Sequence, residues 1–226
     1  RRQRQMCIRD SNMVLQIGIG FFIALGLNAP ELEPRRIYKT LLMLPWAMPA
    51  YISILLWRVG IFNTEFGVLN KLLGLLGFGK VDFLGSNAIA FCSCLALNLW
   101  MALPFMISTI DGALQSVDRN LYESAKLDGA GFWTSVRSIT IPAIWPIVAP
   151  AAVMTTFITF KQFDIIYLLT QQRGYMTGAS LNTVITYAHQ NAFVSNNYGL
   201  SSAVSMLLFV IIILFSLMTN RSLREE

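Results

Sequence analysis

The sequence predicts an all-α polytopic membrane helix bundle with five spans in its 226 residues. Three observations carry that expectation. Hydrophobic residues make up 55% of the chain and charged residues only 13%, about half of the roughly 25% charge content of a soluble domain. Five apolar stretches approach the ~20 residues an α-helix needs to cross the hydrocarbon core of a bilayer. They run continuously, without the period of two that marks a transmembrane β-barrel strand.

Taken in order, the spans are expected at residues 12–28, 41–62, 87–110, 143–170 and 200–219. The first is the weakest, being short and containing Gly18, Gly20 and Gly26. Basic flanks resist translocation and so orient the set. Arg35, Arg36 and Lys39 follow the first span, Arg119, Lys126 and Arg137 follow the third, and Arg221 and Arg224 follow the fifth. The alternate connections hold only Lys71, Lys80 and Arg173. The basic set is therefore expected in the cytoplasm of a bacterial or archaeal cell, with the C-terminus.

An odd number of spans then puts the N-terminus outside, although residues 1–11 carry Arg1, Arg2, Arg4 and Arg9. The expectation is that this tail is not native sequence and that the natural chain begins earlier with a further span; residues 12–226 form the membrane domain. Removing the tail takes away four Arg and one Asp and lowers the net charge from +5 to +2, most of it ordinary cytoplasmic flanks, and no nucleic-acid partner is needed to explain it.

Several signals carry no chemistry. Gly74 to Lys80 imitates the G-x-x-x-x-G-K phosphate loop, but Val81 stands where the magnesium-binding hydroxyl belongs and no strand precedes it. The surrounding segment, 66–78, reads as an interfacial helix on the outer surface. Cys92 and Cys94, two positions apart, point to different helix faces and suit packing better than a disulfide or metal. His189, the only histidine, has no acid or cysteine at triad or ligand spacing and is expected on the surface of the last outer loop. No catalytic residue, metal site or cofactor is expected in this chain.

The longest polar insertion, about 116–146, reads as two short helices around a glycine turn. Residues 121–127 are amphipathic, Gly129 and Gly131 make the turn, and 132–141 resumes apolar spacing until Pro142 stops it. A short, stiff knob of this kind suits insertion into a groove on a partner. Polar residues inside spans usually face a bundle interior or a watery cavity. The fourth span places Thr155, Thr159 and Gln162 at i, i+4 and i+7 on one face, with Lys161 and Asp164 as a further pair. Trp100 and Phe105, flanking Pro104, add aromatic surface of the kind a sugar ring stacks on; satisfied helix carbonyls and a structural ion pair are the competing account.

Glu123-Ser124-Ala125, then Gly129, then Ile139-Thr140-Ile141-Pro142 resemble the EAA loop of permease subunits of binding-protein-dependent type I ABC importers. The three-residue and nine-residue spacings of that pattern both hold, with Ser124 and Ile141 as mild departures. Asp128-Gly129-Ala130 looks like the sugar-importing, maltose and glycerol-phosphate branch. So do residues 38–46 entering the second span and 163–170 closing the fourth.

The resemblance implies an ATP-driven carbohydrate importer working by alternating access. It implies a second permease, two cytoplasmic ATPase subunits that bind the ATP and magnesium, an extracytoplasmic solute-binding protein and surrounding lipid. It implies that Glu123, Ser124, Ala125, Asp128, Gly129, Ala130 and Pro142 belong to the coupling element. It also implies that Trp100, Met101, Ala102, Phe105, Thr155, Ile158, Thr159 and Gln162 line the solute path, where Ile158 and Thr159 depart from an aromatic and an amide. Gln171 to Tyr175 replace the glycine-rich stretch usual in relatives. A polyol, glycerol phosphate or peptide-like cargo is the nearest alternative; a stand-alone channel or membrane enzyme is the alternative from another class.

Overall fold

The computed structural model describes the backbone of residues 2–29, 34–160, 162–171, 181 and 183–222, and the side chains of 12–29, 34–159, 162–170, 181, 183–214 and 216. Every regular element among them is helical. The order is α1 (Arg2–Leu27), α2 (Arg35–Ala47), α3 (Ala50–Leu56, continued by a π-type turn Trp57–Ile61), α4 (Val68–Leu75), α5 (Asn87–Gln115), α6 (Arg119–Leu127), α7 (Phe132–Ser135, continued by a π-type turn Val136–Thr140), α8 (Ile141–Phe160), α9 (Asp164–Ile166, continued by a π-type turn Tyr167–Gln171), α10 (Val184–Phe193) and α11 (Tyr198–Ser222).

By length and apolarity, Asn87–Gln115 and Phe132–Thr159 can each cross a membrane, while the apolar runs Asn12–Leu27 and Tyr198–Leu214 are shorter. Two of the expected spans need correction. The run 41–62 is not one helix: α2 ends at Ala47 and α3 restarts after Pro49. Proline carries no N–H to continue α2, and Pro49 takes an extended conformation, φ −56° and ψ 131°, from which α3 starts. The run 143–170 also begins and ends elsewhere. Its helix already starts at Phe132, because the turn at Val136–Thr140 widens to an Ile141 N–H to Val136 carbonyl bond. A widened turn gives the ring of Pro142 room, so Pro142 does not stop the helix as the sequence suggests. The same helix then ends at Phe160, short of Thr170.

The chain divides into two compact units. One comprises Arg1–Asn12, Met48–Met101 and Phe157–Glu226. Its core is Ile54, Phe62, Leu84, Ala90, Cys94, Leu97, Ile165 and Leu169, flanked by Trp57 and Trp100. Cys94 is buried and Cys92 exposed, as their two-residue spacing suggests. The loop after α4 is pinned by Asn70, which donates to the Val81 carbonyl at 2.9 Å and accepts from the Val81 amide at 2.9 Å. Gly77 ends α4 with φ +80°, and the Phe78 amide donates to the Leu73 carbonyl at 2.9 Å. The glycines of the false phosphate loop therefore act as a helix stop.

His189 is corrected as well. It lies in α10, half-buried, with its ring 4.8 Å from each of Phe163, Tyr167 and Phe193. Aromatic stacking, which single-residue polarity does not reveal, draws it inward.

The other unit comprises Met13–Ala47 and Ala102–Thr156. Its core is Ala24, Met106, Ile110, Ala113, Ile144, Val148 and Ala152. Small residues on α1, α5 and α8 let these helices approach closely, the usual packing where no hydrophobic driving force distinguishes helix from lipid.

Candidate functional site

The polar insertion between α5 and α8 is built by local hydrogen bonds. Asp118 caps the start of α6, its carboxylate accepting from the Asn120 amide at 3.0 Å, a favourable partner for an otherwise orphaned donor. The far end closes as a Schellman motif. Gly129 adopts φ +79°, its amide donates to the Lys126 carbonyl at 3.1 Å, and the Ala130 amide donates to the Ala125 carbonyl at 2.9 Å. Asp128 is the C-cap residue. The motif residues Ala125, Asp128, Gly129 and Ala130 thus make one sharp helix end, after which Gly131 opens α7 in an extended conformation.

This knob is tied to the long helix behind it. The Tyr122 hydroxyl and the Thr140 hydroxyl lie 3.0 Å apart, and Thr140 is buried within the widened turn that precedes Pro142. Outward, the knob presents Leu121, Leu127, Phe132 and Trp133, with Leu127 90% exposed. Glu123 and Ser124 are exposed beside them. An apolar tip edged by the exposed carboxylates of Glu123 and Asp128 is shaped for a partner, and its apolar part is costly to leave in water.

Above the knob sits a cluster that sequence reading passed over. Asp111, buried near the end of α5, accepts from Asn28 at 2.8 Å, from Arg35 at 3.0 Å and from Gln115 at 2.9 Å, and pairs with Lys39. As basic flanks Arg35 and Lys39 are visible in the sequence; their pairing with an acid 76 and 72 residues away is not. The detectable signal was an acid at the end of an apolar span, which in such a place is normally paired.

The residues expected to line a solute path sit in varied surroundings. Trp100 is half-buried with its ring 5.3 Å from that of Trp57, and Met101 packs at the edge of the same core. Ala102 is half-buried and Phe105 is exposed. Thr155 is buried and donates to the Ala151 carbonyl at 2.9 Å. Ile158 is exposed and Thr159 half-buried on the last turn of α8. Gln162 lies beyond that helix, its amide closing a tight turn onto the Thr159 carbonyl at 3.3 Å. It therefore does not extend a helical stripe with Thr155 and Thr159. Lys161, and residues 172–175 of the departing loop, lie outside the described residues.

Residues 16–224 match the family described as the binding-protein-dependent transport system inner membrane component. The chain belongs to this family. Family membership makes it a transport component of a membrane.

Among curated relatives, it is 33% identical over 221 residues to the galactooligosaccharides transport system permease protein GanP of Bacillus subtilis, spanning 94% of this chain and 52% of that protein. It is 34% identical over 203 residues to the trehalose/maltose transport system permease protein MalF of Thermococcus litoralis, covering 90% of this chain and 67% of that one. The chain thus spans about half the length of the first of these relatives and two thirds of the second. Among solved structures, a bacterial ABC transporter involved in alginate import superposes with a TM-score of 0.86 at 24% identity, covering 99% of this chain and 77% of that one. The MetNI methionine ABC transporter superposes at 0.64 with 16% identity, covering 99% and 93%. At these identities the structural likeness establishes the fold, that of type I ABC importer permeases.

Proposed function

We propose that the chain is the membrane-spanning permease subunit of an ATP-driven carbohydrate importer, and that the knob at 118–131 couples it to a cytoplasmic ATPase. The observation that carries this reading is the Schellman-terminated α6, with Glu123 exposed on one side and Leu127 at its tip. Such an element transmits displacement because its end is fixed by backbone bonds and it is tied to the long helix through Tyr122 and Thr140. Carbohydrate is favoured as cargo by the names of GanP and MalF and by the alginate transporter of the same fold.

In this reading two permeases rock between outward-open and inward-open states while ATP binding and hydrolysis by two ATPase subunits supply the free energy. The permease contributes only contacts that differ between the states. A solute-binding protein outside delivers the sugar. ATP and magnesium belong to the ATPase.

The test is co-expression with a second permease and ATPase encoded beside this chain, followed by reconstitution with the cognate binding protein. Uptake of maltose or a galactooligosaccharide that needs ATP, and that Glu123→Gln reduces together with ATPase co-purification, is the expected result. Sugar uptake without an ATPase, or an ATPase bound equally well by Glu123→Gln, would overturn the assignment.

A further inference from the structure

A cavity of about 1000 Å³ opens behind α6, within the unit that contains α1, α2 and the knob. Its apolar lining includes Phe22 and Leu25 of α1, Leu114 of α5 and, just past α5, Val117. Arg35, Arg119 and Lys126 also line it, and no carboxylate does among the described residues. Arg119 and Lys126 make no ion pair among the described residues, and Arg35 shares Asp111 with Lys39, leaving that cluster one positive charge in excess.

Arg119, Tyr122 and Lys126 fall at i, i+3 and i+7, so one face of α6 looks into the cavity. Leu121, Ser124, Leu127 and Asp128 do not line it. The helix therefore has a second face that the coupling role leaves unused. Trp133 also lines the cavity and is 67% exposed, and the amphipathic indole ring collects at the headgroup level of a bilayer.

We propose that this cavity is a binding site for an anionic membrane phospholipid. Its phosphate is held between Arg119, Lys126 and Arg35, and an acyl chain lies along Phe22 and Leu25. A soluble anion would meet the cations and leave the apolar lining wet. A zwitterionic lipid brings a cation of its own with its phosphate and so leaves the net positive charge of the pocket uncompensated. A ligand with a net negative head and a hydrocarbon tail suits both kinds of lining, and a basic pocket at the cytoplasmic ends of membrane helices is where such heads bind. The inference rests on the orientation adopted under the proposed function.

The test is native mass spectrometry of the full chain in detergent, titrated with phosphatidylglycerol or phosphatidylcholine. Phosphatidylglycerol should be retained and phosphatidylcholine lost. Each basic side chain near an anionic surface is worth roughly fivefold, so Arg119→Gln with Lys126→Gln should weaken retention by about 25-fold. Arg36→Gln, exposed and outside the cavity, should leave retention unchanged. Should the double variant misfold, Leu25→Trp, which fills the apolar side, should abolish retention at an unchanged melting temperature.

Equal retention of both lipids would overturn the proposal, as would a folded double variant that still holds phosphatidylglycerol. Displacement of the lipid by inorganic phosphate or glycerol phosphate alone would reassign the site to a free anion. Glu123→Gln separates this inference from the coupling reading: it should lose the ATPase and keep the lipid.

Discussion

The Ala130 amide reaches back to the Ala125 carbonyl at 2.9 Å across Gly129, so two alanines of the motif are joined by the bond that ends α6. Gly129 holds φ +79°, and a Cβ built there would meet nothing within 4 Å. The requirement for glycine is thus one of backbone conformation, with no close neighbour inside the chain. A left-handed conformation costs an ordinary L-residue about 1 kcal/mol. Gly129→Ala should therefore insert normally and exchange the amides of Gly129 and Ala130 about fivefold faster, measured by hydrogen exchange. Gly129→Asp, which adds a charge at the tip, should abolish sugar-stimulated ATP hydrolysis in the reconstituted complex while leaving expression intact.

Tyr122 and Thr140 make a second tie, hydroxyl to hydroxyl at 3.0 Å. A neutral hydrogen bond of this kind contributes about 1 kcal/mol net. Tyr122→Phe and Thr140→Val should each raise hydrogen exchange through α6 about fivefold, and, since Thr140 also donates to the Ser135 carbonyl at 3.4 Å, the double variant should be no worse than the Thr140 change alone. That non-additivity, read as a double-mutant cycle, is the signature of a shared bond. If the tie carries displacement, basal ATPase activity should survive while its response to sugar falls.

How far the sequence speaks is clearest at these same residues. The helix–turn–helix form of this insertion is legible because it is local: Gly129 and Gly131 mark the turn within a few residues of the helix they end. Even there the capping Asp118 was missed and the helix was started two residues late, at Leu121 instead of Arg119. Hydropathy could not see the break at Pro49 or the widened turn before Pro142, since both are decided by carbonyls and rings rather than by apolarity. Asp111 with Arg35, and His189 among its three rings, depend on contacts far apart in the chain or between elements. No periodicity encodes those.

Asp111 should matter more to stability than any residue of the motif. It is 7% exposed and serves two cations and two amides. Removing one partner of a buried pair commonly costs 3–5 kcal/mol. Here Arg35 and Lys39 are each about one-third exposed and can rehydrate, so about 2 kcal/mol is expected for Asp111→Ala. Thermal unfolding in detergent should show the loss, and Asp111→Asn should recover part of it because the Asn28 bond can be kept.

The candidate solute path separates into residues already engaged and residues still free. Thr155 gives its hydroxyl proton to the Ala151 carbonyl, and Trp100 is packed on Trp57. Phe105 and Ile158, at 38% and 54% exposure, have no such commitment. Thr155→Val should therefore leave sugar uptake within about twofold of the parent, since burying a methyl in place of a self-satisfied hydroxyl changes little. Trp100→Ala should act mainly through stability, lowering the melting temperature by removing a large, half-buried ring packed against its core.

Phe105→Ala should keep the melting temperature and lower uptake at limiting sugar, the regime in which lost stacking surface is visible. A stacking contact worth about 1 kcal/mol corresponds to roughly a fivefold loss. Gln162, past the end of α8 and half-buried, provides the sharpest comparison. If its amide meets the sugar, Gln162→Ala and Phe105→Ala should each raise the half-saturating sugar concentration without changing the maximal rate. If Gln162 contributes only its backbone N–H to the turn onto Thr159, which alanine keeps, its variant should leave both uptake and thermal stability unchanged.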